Sequence, residues 1–259
     1  MSSYFDEATL TDYTLHTLAE RPDLIREADQ MNGAGWPEFM LHDPVADQYF
    51  GQLYKRFADY QVILLNPDGK VIACGNTIPI TWDGTVDGLP DRGWDAVMEL
   101  GVRNHQNGIP PTTLSAIQAV VSKEHLGVGL SQHVLKAMKG AAAKHGLKAL
   151  VAPVRPNLKH RYPLTPMERY VTWKHSDGLP FDPWLRTHAR LGATFMKVCP
   201  LSMTIPAKVA DWEKWTEMRF PESGTFVIPG ALNPIEIDLE ADTGRYIEPN
   251  VWMRHGISD

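Results

Sequence analysis

Cysteine is nearly missing from this chain of 259 residues: Cys74 and Cys199 are its whole supply. Two thiols make neither a disulfide framework nor a cysteine metal cluster, and such sparing use suits a reducing compartment, so the expected location is the cytoplasm. No run approaches the roughly eighteen consecutive apolar residues of a membrane span, so no membrane partner is expected. Positive charge is also short. Lys and Arg number 25 against 31 Asp and Glu, a formal net charge of −6, with a pI near 5.9. Phosphate-rich polymers are held by basic faces, so nucleic acid is not the expected partner. The opening MSSYFDEATL is acidic and lacks a basic flank and an apolar centre, so no signal peptide is expected there. Repeats and low-complexity segments are lacking too. The ten histidines show no His-x-x-x-His or comparable spacing, and no metal is expected. What remains is a globular chain, 43% hydrophobic and 22% charged, long enough for a large core and suited to a small-molecule ligand.

Strand-like and helix-like runs alternate along it. YTLHTL (13–18) reads as a weak strand, and RPDLIREADQM (21–31) as a helix with Pro22 in its first turn. Asp43, with Pro44 behind it, opens a second helix over 43–59, apolar at 45, 49, 50, 53 and 57. QVILL (61–65) and KVIAC (70–74) flank an Asn-Pro-Asp-Gly turn and predict a hairpin. Segment 81–111, rich in Gly, Pro and Asp around the short amphipathic GWDAVMELGVRNH, reads as an insertion. TTLSAIQAVV (112–121) is the fourth strand. A glycine loop follows, then a helix with Leu130, Val134, Met138 and Ala142 on one face, stopped by Gly146. ALVAPVRPN (149–157) is a fifth strand, and the helix between the two implies that they run parallel. A helix over 180–193, a strand over 195–205, a helix over 206–218 and two short strands, TFVIPG and PIEIDL, complete the reading. The expected fold class is α/β, with a mixed, partly antiparallel central sheet flanked by helices.

The chemistry concentrates at VVSKEHLGVGLSQHVLKAMKGAAAKHG (120–146). The first amides of a helix have no partner inside it and carry partial positive charge. A strand, a glycine turn and a helix therefore make an anion site, while the plainer reading is a steric turn with no ligand. A dinucleotide fingerprint needs a third glycine and an acid about twenty positions on. GVGLSQ has no such glycine, and residues 132–160 contain no acid. The Gly-Lys-Ser/Thr of a nucleotide P-loop is absent as well.

A third pattern fits better. The order strand, helix, helix, hairpin, strand, glycine loop, helix, strand, helix, strand, together with VRPN (154–157) and HARLGA (188–193), resembles the GNAT superfamily of acyl-coenzyme A dependent N-acyltransferases over roughly 13–205. That family's loop is Gln/Arg-x-x-Gly-x-Gly/Ala. Here Leu126 stands for the Gln or Arg, Lys123 where proline is usual, Ser131 for the Gly/Ala, and His188 where a tyrosine often acts as general acid. The resemblance implies a single domain over 1–259, its core at about 13–205, enlarged by 81–111 and 158–180 and followed by an extension at 206–259.

It also implies acetyl-coenzyme A or another acyl-coenzyme A as co-substrate. The pantetheine arm would pair with the backbone of Ala119, Val120 and Val121. The pyrophosphate would meet the loop of Leu126, Gly127, Val128, Gly129, Leu130, Ser131 and Gln132, and Asn157 would touch the cofactor. Lys123, His125 and Lys136 would replace part of the missing loop cation. The implied function is transfer of an acyl group, acetyl in the first instance, to an amine of a small-molecule acceptor. In that reading His188 passes a proton to the leaving thiolate, and Glu38, in the GWPEF loop, deprotonates the amine. The bland readings are a packing histidine, a solvated glutamate and a turn asparagine. The tryptophans at 36, 82, 94, 173 and 184 are core or loop packing, or walls of an acceptor pocket. Two alternatives stay open: a GNAT-fold protein that has lost acyl-coenzyme A and serves a different small molecule, and a non-catalytic ligand-binding module.

Overall fold

The computed structural model describes residues 13–33 and 35–257; the acidic opening MSSYFDEATL lies outside them. β1 (Thr14–Thr17) leads through a 3₁₀ turn into α1 (Ile25–Gly33), and a 3₁₀ segment at Glu38–His42 precedes α2 (Pro44–Arg56). Asp43 caps α2 by accepting the amides of Val45 at 2.9 Å and Ala46 at 2.8 Å, as its Asp-Pro sequence predicts. β2 (Val62–Leu65) and β3 (Val71–Ile80) form the predicted hairpin and are buried along their whole length. Within the supposed insertion lies α3 (Gly93–Gln106), a full helix of 14 residues. Its Trp94, Val97, Met98 and Val102 recur at helical spacing and are buried. Then come β4 (Thr113–Val121), α4 (Leu130–Lys144), β5 (Ala149–Val154), α5 (Met167–Tyr170), α6 (Pro183–Arg190) and β6 (Thr194–Ala207). α7 (Val209–Thr216), β7 (Gly224–Phe226), β8 (Ile235–Asp238) and β9 (Thr243–Gly256) finish the chain.

Among the described residues these strands form one sheet of nine, in the order β1-β2-β3-β4-β5-β9-β8-β7, with β6 also paired to β9. Every pairing is antiparallel except β4 with β5. The segment that the sequence sets outside the core supplies β9, which pairs with both β5 and β6 and so lies inside the sheet.

α4 packs on one face of the sheet. A Cβ on Gly75 would stand 2.6 Å from Val62 Cγ2 and 2.8 Å from Met138 Cε and Val134 Cγ1, so only glycine lets the helix approach β3 this closely. The opposite face buries Trp94, Met98, Trp212, Tyr246 and Trp252 under α2, α3 and α7. Each such side chain contributes about 1.5–3 kcal/mol by burial.

Two irregularities shape the site. β4 and β5 pair only at Leu114↔Leu150 and Ser115↔Val151, and then diverge. Ile117 is an extra residue in β4: Asn76 faces Gln118 while Thr77 faces Ala116. Bulges of this kind bend a strand and re-aim its neighbours.

Candidate active site

Where β4 leaves β5, a cavity of about 740 Å³ opens between them. Ala116 to Val121 form one wall, and Ala152, Pro153 and Val154 the other. Beyond Ser115 the β5-facing edge of β4 has no strand on it, so its amides and carbonyls are free to pair with an extended ligand as an added strand. The bulge is held in place by Trp94, whose Nε1 donates to the Ile117 carbonyl at 2.9 Å.

At one end the cavity meets the glycine loop, where Lys123, Leu126 and Ser131 line it. Gly127 (φ 84°) and Gly129 (φ 85°) both occupy the left-handed region, which side-chain-bearing residues enter at a cost. Among the described residues the amides of Gly127, Val128, Gly129, Leu130 and Ser131 have no partner, and they sit at the positive end of α4. Gln132 is different, since its amide already donates to the Gly129 carbonyl at 3.0 Å. The cations divide. Lys123 lines the cavity; His125 Nδ1 is engaged with Ser122 Oγ at 2.7 Å; Lys136 lines a separate groove behind α4, beside β1 and β2.

His188 and Asn157 reach the same cavity. One buried carboxylate ties them together. Asp182 caps α6 through the amides of Trp184 (2.9 Å) and Leu185 (3.2 Å). It also accepts the amides of Asn157 (3.2 Å) and Leu158 (2.8 Å) and the Tyr170 hydroxyl (2.8 Å). The end of β5 and the start of the His188 helix therefore move as one piece. Tyr170 is spent on that hub and raised far above its ordinary pKa by burial, so it offers no proton to the cavity.

His188 is 2% exposed, and its Nδ1 lies 3.0 Å from Nε2 of His255 on β9. Burial pushes His188 down to about 3. It is thus neutral at working pH, not the near-neutral titrating imidazole that its residue type suggests.

Trp36, Phe50 of α2 and Trp94 also line the cavity. Its carboxylates are Asp29, Asp47 and Glu248. Glu38 is not brought there: it is exposed on the 3₁₀ segment, 3.2 Å from His42 Nε2. Glu248 is fully buried. Arg155 Nε donates to both its oxygens at 3.0 Å, the Tyr246 hydroxyl donates at 2.9 Å, and Asn250 Nδ2 donates at 3.2 Å. Asn250 Oδ1 in turn accepts from Ser202 Oγ at 2.7 Å, and that oxygen accepts the Trp94 amide at 2.9 Å. A bonded chain thus runs from Arg155 to the β4 bulge.

No family model matches the chain. In sequence it is 34% identical over 275 residues to the arginine N-acetyltransferase avaD of Aspergillus versicolor, covering 95% of this chain and 94% of that one. The chain belongs to the GNAT superfamily. Two solved structures share the fold: the loading GNATL domain of CurA from Lyngbya majuscula (20% identity, TM-score 0.59, 95% and 98% coverage) and the GphF GNAT-like decarboxylase in complex with isobutyryl-CoA (14% identity, TM-score 0.56, 95% and 100% coverage).

As a GNAT enzyme the chain transfers an acyl group from acyl-coenzyme A to an amine, and the α/β fold expected from its sequence is the one observed. Sequence reasoning missed the parts of this GNAT site that come from β9, namely Glu248, Asn250 and His255, and the hub Asp182. Asp182 had a local signal, an Asp-Pro pair like the Asp43-Pro44 that was read as a cap. Among the described residues, no helix is long and apolar enough to cross a membrane.

Proposed function

We propose that this GNAT enzyme acetylates an amine of arginine or a close cationic relative, with acetyl-coenzyme A as donor. One observation carries the cofactor half: the unpaired edge of β4 leads directly into a loop whose five consecutive amides are free. Pantetheine pairs along Ala119, Val120 and Val121, the pyrophosphate sits on the amides of Gly127 to Ser131 with Lys123 beside it, and Asn157 flanks the arm. Backbone donors do not depend on the side chain at Leu126, so the loop works without its arginine, with less charge attraction. The acceptor name comes from the similarity to the arginine N-acetyltransferase.

Neutral His188 acts as a relay in this reading. Holding reactants in line supplies most of the acceleration, and β4 amides near the bulge polarise the thioester carbonyl. The amine nitrogen attacks the carbonyl carbon, its surplus proton passes to Nε2 of His188, and the C–S bond breaks. His188 then returns the proton to the coenzyme A sulfur. The imidazole must take a proton before it can give one, because burial leaves it unprotonated. A reducing, cytoplasmic setting belongs to the same reading, with Cys74 and Cys199 both free and buried.

Thiol release with acetyl-coenzyme A and arginine tests the reaction, and a thermal shift with acetyl-coenzyme A tests the cofactor. Saturation at about 100 times the dissociation constant stabilises by about 2.7 kcal/mol. The absence of both a shift and thiol release at millimolar concentrations overturns the proposal.

A further inference from the structure

Where α1 and α2 line it, the cavity carries negative charge that the protein does not neutralise. Lys123 sits at the far end beside the loop, Arg155 and Glu248 cancel one another at 3.0 Å, and His188 is neutral. Asp29 on α1 and Asp47 on α2 remain. Among the described residues neither has a cationic side chain within salt-bridge distance.

A second observation points the same way. Asn32 follows Asp29 by three positions, on the same helix face, and lines the same cavity. It is 5% exposed. Its Nδ2 donates to the Tyr54 hydroxyl at 2.9 Å, and its backbone carbonyl accepts from Gln118 Nε2 of β4 at 2.7 Å. Its Oδ1 has no partner. A buried carbonyl oxygen on a cavity wall, satisfied by nothing in the protein, calls for an N–H from whatever enters.

The two carboxylates and this oxygen are all acceptors. The partner they suit is rich in N–H donors, carries positive charge and offers no acceptor of its own. A guanidinium meets all three requirements: it is planar, has five donors in a fixed fork and lies flat against aromatic faces such as Phe50 or Trp36 on the same wall. A ureido group of the same shape turns a carbonyl oxygen toward these acceptors and is rejected.

We infer that Asp29, Asn32 and Asp47 form a charge-recognition subsite for the guanidinium of the acceptor, remote from the amine that is acylated. This rests on the arginine-type acceptor proposed above and assigns the residues that select it. The Asn32 carbonyl's bond to Gln118 then couples the subsite to β4, next to the bulge.

Arginine and citrulline, identical apart from the guanidino and ureido ends, are compared as acceptors for the wild type, Asp29→Asn, Asp47→Asn and Asn32→Asp. The wild type favours arginine. Each Asp→Asn change raises the arginine KM about tenfold to a hundredfold, the range of a charge-assisted hydrogen bond, lowers the citrulline KM because the new amide offers an N–H to the ureido oxygen, and leaves the acetyl-coenzyme A KM unchanged. Asn32→Asp keeps an acceptor in place and retains the preference for arginine. The same preference is read as binding, by calorimetry on protein saturated with coenzyme A, so that an inactive preparation still answers. Far-UV circular dichroism checks that the variants are folded. If arginine is not acetylated but other cationic amines are preferred to neutral ones, and Asp47→Asn abolishes that preference, the acceptor's name fails and the subsite stands. Equal use or binding of arginine and citrulline by the wild type, or Asp29→Asn and Asp47→Asn variants as selective as the wild type, overturns the inference.

Discussion

Nδ1 of His188 stands 3.0 Å from Nε2 of His255, with both rings shut away from bulk water. Burial pushes the first down to about 3 and the second to about 4, so both are neutral at pH 7 and one proton lies between them. The other nitrogen of His188 is left for the cavity that the residue lines. His188→Ala should therefore lower kcat by roughly a hundredfold, the usual contribution of a positioned proton-transfer group, while the acetyl-coenzyme A KM changes little. The pH profile of kcat/KM should show no inflection near the ordinary histidine value of about 6.5. Steady-state kinetics decide both points, and an unchanged kcat returns His188 to packing.

The same rings shape stability against acid. A histidine whose folded pKa lies below its unfolded value binds fewer protons when folded, so its contribution is complete above about pH 6.5 and is lost as pH falls toward the folded values. Asp43 and Asp95 act in the opposite direction. Burial raises both; Asp47 and Glu248 add to the rise at Asp43 and the Asp43 charge adds to that at Asp95, and each keeps one oxygen without a partner. The folded state holds their protons more tightly, so their contribution is present at low pH and lost as pH rises beyond the usual carboxylate range near 4. Between about pH 6.5 and 8 only the carboxylates act; above that Lys159, pushed down to about 8 by burial, opposes them. Thermal melts should show wild-type Tm falling across this window and Asp95→Asn flattening the fall. An equal slope in the variant refutes the assignment.

At the loop, Leu126 is 63% exposed and lines the cavity. Leu126→Arg should tighten acetyl-coenzyme A by about 0.5–2 kcal/mol at low salt, and the gain should shrink as salt screens it. Gly129→Val places a β-branched residue at φ 85° and should abolish binding. Calorimetry at two ionic strengths reads both effects.

The bonded chain from Arg155 to the bulge makes Glu248 the costliest charge to remove. Glu248→Ala strands Arg155 together with the donors of Tyr246 and Asn250, and should cost about 3–5 kcal/mol, as breaking a buried pair does. Glu248→Gln keeps an acceptor and should cost less. Urea unfolding of the two variants measures the difference, and equal losses would count against an ionic role.

Local signals carried much of this molecule. The Asn-Pro-Asp-Gly turn located β2 and β3, the Asp43-Pro44 pair located the start of α2, and the glycine loop between a β-branched run and an amphipathic face located the free amides at the start of α4. α3 was harder to see, because Gly93 and Gly101 interrupt its pattern and the flanking prolines and glycines read as loop. β9 received no element at all. Its sequence TGRYIEPNVWMRHG is buried over most of its length, so apolar and polar residues do not alternate, and Gly244 and Pro249 look like breakers. Pro249 is tolerated because β6 bulges there: Cys199 faces Asn250 while Met203 faces Glu248. The acceptor end depends on pairs such as Arg155 and Glu248, 93 positions apart, and no local pattern announces a bond of that span.

The position of β9 has a consequence in time. Its two partners, β5 and β6, are made long before it, and until Thr243–Gly256 arrives each presents an open edge with nothing between them. Pairing across such a separation is slow, because the loop entropy is spent before the contacts form. Glu248, Asn250 and His255 ride on this strand, so the wedge between β4 and β5 that we propose for the cofactor can exist before the residues that support the proposed relay and acceptor wall. The enzyme therefore acquires the means to hold its acyl donor before the means to use it, and a chain interrupted short of β9 keeps two sticky strand edges as well as an idle site.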